Sequence, residues 1–100
     1  MVKARAIKRR RREKKFTMIA QMIDGRREEL SEPEFVGEGL GSLADTVEAA
    51  KDALEYINGY DLRAEYVDIY CDENHGCSNG YCGFVDNSGW NRDSDCEIDD

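Results

Sequence analysis

A single proline (Pro33), a single histidine (His75) and a single tryptophan (Trp90) stand among the 100 residues. With one histidine, no Ser-His-Asp arrangement is available beyond His75, and no neighbour marks His75 as a general base. It falls on a Gly- and Asn-rich stretch and reads as an exposed loop residue. Carboxylates are too abundant for any pair to stand out, and a core this small leaves little room for a pocket. The chain therefore reads as a binding protein, not an enzyme. No apolar run approaches the roughly 20 residues that span a bilayer. The basic start is followed by no uninterrupted apolar stretch, which argues against a secretory signal. The expected location is an intracellular, reducing compartment: cytoplasm, or nucleus if the source is eukaryotic. Hydrophobic content is 40%, below the roughly 45–50% usual for soluble domains, so part of the chain is expected to carry no core.

Positive charge is scarce after Lys15 and dense before it. Residues 1–15 hold nine of the fourteen Lys and Arg and one acid, Glu13, for a charge of +8. Residues 16–100 hold five bases and twenty-one acids, a charge of −16, so the net −8 conceals two opposite surfaces. Lys8, Arg9, Arg10, Arg11 and Arg12 form one unbroken run, with Lys14 and Lys15 close behind. Adjacent like charges repel, and nothing there can bury a face, so residues 1–15 predict a disordered arm or a fraying helix.

Hydrophobic periodicity organises the rest. Phe16, Ile19, Ala20 and Ile23 fall at i, i+3, i+4 and i+7, which predicts a helix over 16–23 ending near Asp24-Gly25. Residues 31–41, with Pro33 and three glycines, predict a loop anchored by Phe35 and Val36. Ser42 is a good N-cap, and Leu43, Val47, Ala50, Leu54 and Ile57 form one stripe over four turns, stopped by Asn58-Gly59. The helix is expected at 43–57. Val67, Ile69 and Cys71 alternate with Asp68 and Tyr70, predicting a strand over 63–71. A second strand, about 81–86, completes a hairpin, and Trp90 closes the core. Residues 91–100 hold five acids and read as a solvated tail. The expected fold is α+β: two helices packed on a small antiparallel hairpin or sheet over 16–90, with an extended basic arm and an acidic tail.

Four features carry candidate chemistry. The arm (Lys8, Arg9, Arg10, Arg11, Arg12, Lys14, Lys15) can neutralise phosphates and release counterions without needing a fold. It has no aromatic residue before Phe16, so by itself it offers no stacking platform and reads little sequence. A solvated charge run, an arm folded onto the acidic tail and a nuclear-localisation signal are the other readings. With the stripe that follows, the arm also has the look of a basic amphipathic helix for a membrane surface, but a −16 body is repelled by anionic lipid, so membrane binding is disfavoured.

The second feature is the acidic body. Its negative charge exceeds what solubility requires. A rigid acidic array can occupy a groove built for nucleic acid. Small proteins that imitate DNA, such as those phages use against polymerases, nucleases and chromatin proteins, form the analogous class. The expected partner is a protein with a basic surface, met by Glu48, Asp52 and Glu55 on the helix and by Asp93, Asp95 and Glu97 near the end. The plainer alternative is a soluble acidic surface with no designated partner.

The third feature is the string Cys71-DENHG-Cys77-SNGY-Cys82-GFV-Asp86. The spacing C-x5-C-x4-C, with Gly before the second Cys and Cys82-Gly83-Phe84 after it, resembles a short-spaced CCCH zinc finger of the RNA-binding kind. The resemblance covers residues 71–86 and implies one structural zinc. The histidine three residues past the last Cys is absent, and Asp86 stands nearby, with His75 or Cys96 as other donors. Asp72, Glu73 and Asp86 repel phosphate, so such a site would be a staple rather than an RNA contact. Packed thiols and a disulfide remain the other readings of the cysteines.

The last feature is a pair of weaker strings. Gly37 to Ser42 is a glycine-rich approach to a helix without the P-loop lysine. Asp93, Asp95, Glu97 and Asp99 lack the central Gly of a calcium loop. These read as linker and tail.

The alternative function is a nucleic-acid-binding module that joins the arm to a zinc-stapled hairpin. A third is a structural component of a virion or ribonucleoprotein.

Overall fold

The computed structural model describes residues 16–37, 41–71, 80–94 and 96. The basic arm, His75, Cys77, Asp95 and Glu97 lie outside the described residues. The fold is α+β, and its sheet is larger than the expected hairpin. Strands β1 (Phe16–Met22), β2 (Arg27–Glu29), β3 (Ala64–Cys71), β4 (Tyr81–Asp86) and β5 (Gly89–Arg92) form one sheet. Its order is β2-β1-β3-β4-β5, and every neighbouring pair is antiparallel. A short helix α1 (Pro33–Val36) and a long helix α2 (Leu43–Ile57) come between β2 and β3.

The helix expected over 16–23 is the strand β1. Phe16, Met18, Ala20 and Met22 are buried, and the residues between them are only partly covered. The segment satisfies a period of 3.6 through Phe16, Ile19, Ala20 and Ile23, and a period of two through Phe16, Met18, Ala20 and Met22. Pairing with β3, from Phe16 opposite Cys71 to Met22 opposite Ala64, selects the second. Asp24-Gly25 is accordingly a hairpin turn and not a helix cap. The Met22 N–H donates to the Arg26 carbonyl (2.8 Å), and the Asp24 carboxylate accepts from the Arg26 backbone (3.1 Å) and from its Nε (2.8 Å). Gly25 takes φ 98°, a value that only glycine adopts cheaply.

The expected loop at 31–41 contains α1. Pro33 sits at its first turn, where a missing N–H costs nothing. Helix α2 occupies residues 43–57 as its stripe requires. The Ser42 hydroxyl accepts from the Asp45 N–H (3.1 Å), and the buried Thr46 hydroxyl donates to the Ser42 carbonyl (2.7 Å). Leu43, Val47, Ala50, Ala53 and Leu54 face the sheet, and the helix lies across β1, β3 and β4. They meet Met18, Val67, Ile69 and Val85, which are almost wholly buried. Each such side chain contributes about 1.5–3 kcal/mol relative to exposure.

Asn58 ends α2 and starts the return. Its Oδ1 accepts from the Arg63 and Ala64 N–H groups (both 2.8 Å), and its Nδ2 donates to the Ala64 carbonyl (3.0 Å). Trp90 packs on the core from β5, next to Gly83 of β4. A Cβ at Gly83 would lie 2.8 Å from the Trp90 ring, and its φ is 138°. The chain past residue 90 is not simply a tail. Asn91 and Arg92 belong to β5, the Asp93 N–H donates to the Cys82 carbonyl (2.9 Å), and Cys96 is buried.

Candidate functional site

Helix α2 packs on one face of the sheet and α1 packs against α2, which gives the molecule two unlike surfaces. On the helical side, α1 lies beside α2 and the Phe35 ring meets Tyr56 edge-on, with centroids 5.8 Å apart. The groove between the helices encloses about 550 Å³ over Phe35, Val36, Ala49, Ala53 and Tyr56. Glu34, Asp45, Glu48 and Asp52 rim it. Tyr56 is 70% exposed and also borders a second groove, with Tyr60 beyond it. Glu28, Glu29, Glu32 and Asp61 line that one, with Arg63 as its cation. Tyr56 thus stands between two sets of carboxylates, and the exposed Tyr60 lines the second groove.

The acids expected to act together are divided. Glu48 and Asp52 share the first groove, joined by Glu34 and Asp45, which sequence reasoning missed. Their signal was present, since Asp45 lies one turn before Glu48, but the position of α1 was not. Glu55 falls on the other flank of α2, beside Lys51 and the Asp86–Gly89 turn. Asp93 is partly buried against β4 and is not part of the groove surface. Asp95 and Glu97 lie outside the described residues, as do Lys8, Arg9, Arg10, Arg11, Arg12, Lys14 and Lys15.

The opposite face of the sheet is aromatic. Tyr66, Asp68 and Tyr70 of β3 point away from α2 and meet the open side of β4. Tyr66 packs on Phe84 with centroids 5.3 Å apart, and Tyr70 packs on Tyr81 at 5.2 Å. Asp68 lies between the pairs and is only 5% exposed. It accepts from Tyr81 Oη at 2.8 Å and from Arg27 Nη1 at 3.0 Å. Arg27 reaches over β1 from β2 and also donates to Gln21 Oε1 (3.1 Å) and Tyr70 Oη (3.0 Å). The hydrogen bond to Asp68 raises the Arg27 pKa above its ordinary value. Burial, then the bond to Asp68, raises the Tyr81 pKa well above its usual value.

The cysteine string is only partly described. Cys71 ends β3, and Cys82 is buried at the bulge where Ile69 faces Gly83 and Tyr70 faces Tyr81. Asp86 stands at the far end of β4, about 13 Å from Cys82 at strand spacing. Its carboxylate accepts from the Ser88 N–H (2.9 Å) and from Asn91 Nδ2 (3.3 Å). Among the described residues no group of three or more His, Cys, Asp or Glu side chains converges as metal ligands do. Cys71 is half-buried, and Cys82 and Cys96 are buried. Among the described residues no helix is long and apolar enough to cross a membrane.

Comparison of the chain with protein-family models, with curated proteins and with solved structures finds no match in any of the three, so the function rests on the chemistry of these two surfaces.

Proposed function

We propose that the protein is a non-enzymatic regulator that docks its acidic helical face onto the basic, nucleic-acid-binding surface of a nucleic-acid-handling protein. The observation that carries this is Tyr56, held edge-on by Phe35 and 70% exposed between the carboxylates of both grooves. Carboxylates alone attract any cation and fix no geometry. An exposed ring among them adds a face on which a guanidinium can rest while its donors meet Glu48 and Asp52. Such a surface competes with nucleic acid for the same Lys and Arg residues, in the manner of proteins that imitate DNA. The opposite charge of residues 1–15 contacts phosphate beside the docking site. That orients encounter and speeds association more than it adds affinity.

The test uses the full-length chain and a fluorescent arginine-rich peptide, titrated from about 50 to about 300 mM salt, across which surface charges become largely screened. Binding is expected to weaken steeply with salt. Tyr56→Ala is expected to weaken it about 5- to 20-fold. The pair Glu48→Gln and Asp52→Gln should flatten the salt dependence, while Glu55→Gln leaves affinity nearly unchanged. Salt-independent binding, or equal affinity for the Tyr56 variant, sinks the reading.

A further inference from the structure

The sheet ends at β2, and the outer side of that strand is open. The Met22 N–H donates to the Arg26 carbonyl (2.8 Å) and the Leu30 N–H to the Met18 carbonyl (2.9 Å). With Ala20 opposite Glu28, this register turns the backbone groups of Arg26, Glu28 and Leu30 towards β1. The N–H and C=O groups of Arg27 and Glu29 point the other way. β2 is the last strand in the order, and every residue in it is exposed. Among the described residues no backbone group pairs with this edge.

An open edge is a template for another strand, and proteins guard it with short strands and charge. Here the unpaired guards are of one sign. Arg26 is tied to Asp24 (2.8 Å) and Glu28 (2.9 Å), and Arg27 to Asp68 (3.0 Å). Glu29 and Glu32 form no ion pair among the described residues. The second groove, about 700 Å³, runs beside the strand on its helical side. Leu30, Phe35 and Ile57 supply its apolar lining, Tyr60 is fully exposed at it, and Arg63 is the one cation among its lining residues. A strand laid along β2 sets alternate side chains over this groove. Lysine or arginine fits there, with its stem on the apolar lining and its head among the carboxylates. An acidic strand, or a second copy of a body that carries −16, is repelled by the same carboxylates.

We infer that the β2 edge takes an extended segment of a partner protein, bearing lysine or arginine at alternate positions, as a sixth strand of the five-stranded sheet. Arg27 and Glu29 supply the backbone hydrogen bonds, and the groove beside Glu28 selects the basic side chains. The tie from the Arg27 side chain to Asp68 crosses β1 and fixes the edge strand, while the Arg27 backbone groups stay open. The edge is therefore ordered before a partner arrives. This site goes beyond the docking of the helical face: it pairs backbone at a different edge and shares with that face only the basic character of the partner.

The test is amide hydrogen exchange, followed by NMR on the full-length chain, with a synthetic peptide of alternating lysine and valine. In the free chain the Glu28 amide is expected to exchange more slowly than those of Arg27 and Glu29. Saturating peptide should slow exchange at Arg27 and Glu29 by about 10-fold or more. The same peptide N-methylated at every backbone nitrogen keeps its charge and loses its donors, and should bind about 10-fold or more weakly. Glu29→Pro removes an N–H that points to solvent and spares the ladder with β1, so it should abolish the protection of Arg27 with the fold intact. Glu29→Gln keeps that N–H and should weaken binding only about 2- to 3-fold. Peptide binding without slowed exchange at Arg27 and Glu29 overturns the inference, as does equal affinity for the methylated peptide, a result that no folding defect can produce. So does slow exchange at both amides in the free chain. If independent of concentration, it means that the chain covers its own edge; if rising with concentration, it means that a second copy does. Peptide protection that persists when Glu48→Gln and Asp52→Gln are combined places the edge apart from the first groove, so failure of this site and failure of the helical-face docking are read separately.

Discussion

Arg27 and Asp68 are 41 residues apart in sequence, and Arg27 Nη1 lies 3.0 Å from Asp68 Oδ2 across the open face of β1. Asp68 is buried and Arg27 is partly exposed. Removing the cation leaves a buried carboxylate with a weaker set of donors. Arg27→Met is expected to destabilise the fold by about 1–2 kcal/mol, less than for a fully buried pair because water screens the exposed guanidinium. Asp68→Asn in the same background should recover part of the loss. A double-mutant cycle by chemical denaturation measures the coupling, and additive effects would show that the pair contributes nothing.

Tyr81 gives a pH signature. Its folded pKa is raised above the ordinary value of 10.0 by burial and by the bond to Asp68. The folded state therefore holds a proton that the unfolded chain releases near pH 10. The stabilisation is complete below pH 10 and is lost as pH rises above it. Thermal midpoints between about pH 8 and pH 11 should fall faster for the unsubstituted protein than for Tyr81→Phe, whose ring does not titrate. Parallel profiles would contradict this.

Gly83 is where β4 lets Trp90 lie close. Its φ of 138° and the nearby Trp90 ring, 2.8 Å from where a Cβ would stand, both oppose a side chain. Gly83→Ala is expected to cost about 2–4 kcal/mol and to alter the Trp90 fluorescence spectrum. An unchanged spectrum and stability would mean that the strand relaxes without cost.

Asn58 pins the segment that carries Tyr60. Its amide makes three hydrogen bonds to Arg63 and Ala64. Asn58→Ala is expected to lower stability by about 1–3 kcal/mol and to speed hydrogen exchange at the Arg63 and Ala64 amides, with the amides within α2 little changed. Faster exchange throughout α2 would instead show that helix and return segment open together.

The difference between α2 and β1 shows which local signals suffice. Helix α2 was legible because a fifteen-residue stripe, an N-cap serine and an Asn-Gly stop all point to one answer. β3 and β4 were legible because Val67, Ile69 and Cys71 alternate and a second short apolar segment follows. β1 was not, because seven residues satisfied two periods at once. The partner that decided between them, β3, lies more than forty residues away. The short helix at Pro33 fell inside an expected loop because four residues carry too little periodicity to read.

The candidate surfaces divide in the same way. The acids on α2 could be placed on an exposed helical face from spacing alone. That Glu34 and Asp45 join Glu48 and Asp52 while Glu55 turns away depended on where α1 docks. Tyr66, Asp68 and Tyr70 were visible as one side of a strand, but no local pattern says which side of a sheet a helix will cover.

By itself the sequence determined the opposed charges of residues 1–15 and 16–100, the helix 43–57 and the two-residue alternation of β3, because charge and hydrophobic period are local quantities. Only the tertiary structure decided that Phe16–Met22 is a strand, that Tyr56 stands among the carboxylates of two grooves and that Arg27 neutralises Asp68 beneath an aromatic face. Those depend on pairings between segments far apart in the chain, where the free energy of burying one face against another outweighs the small local preference of either segment.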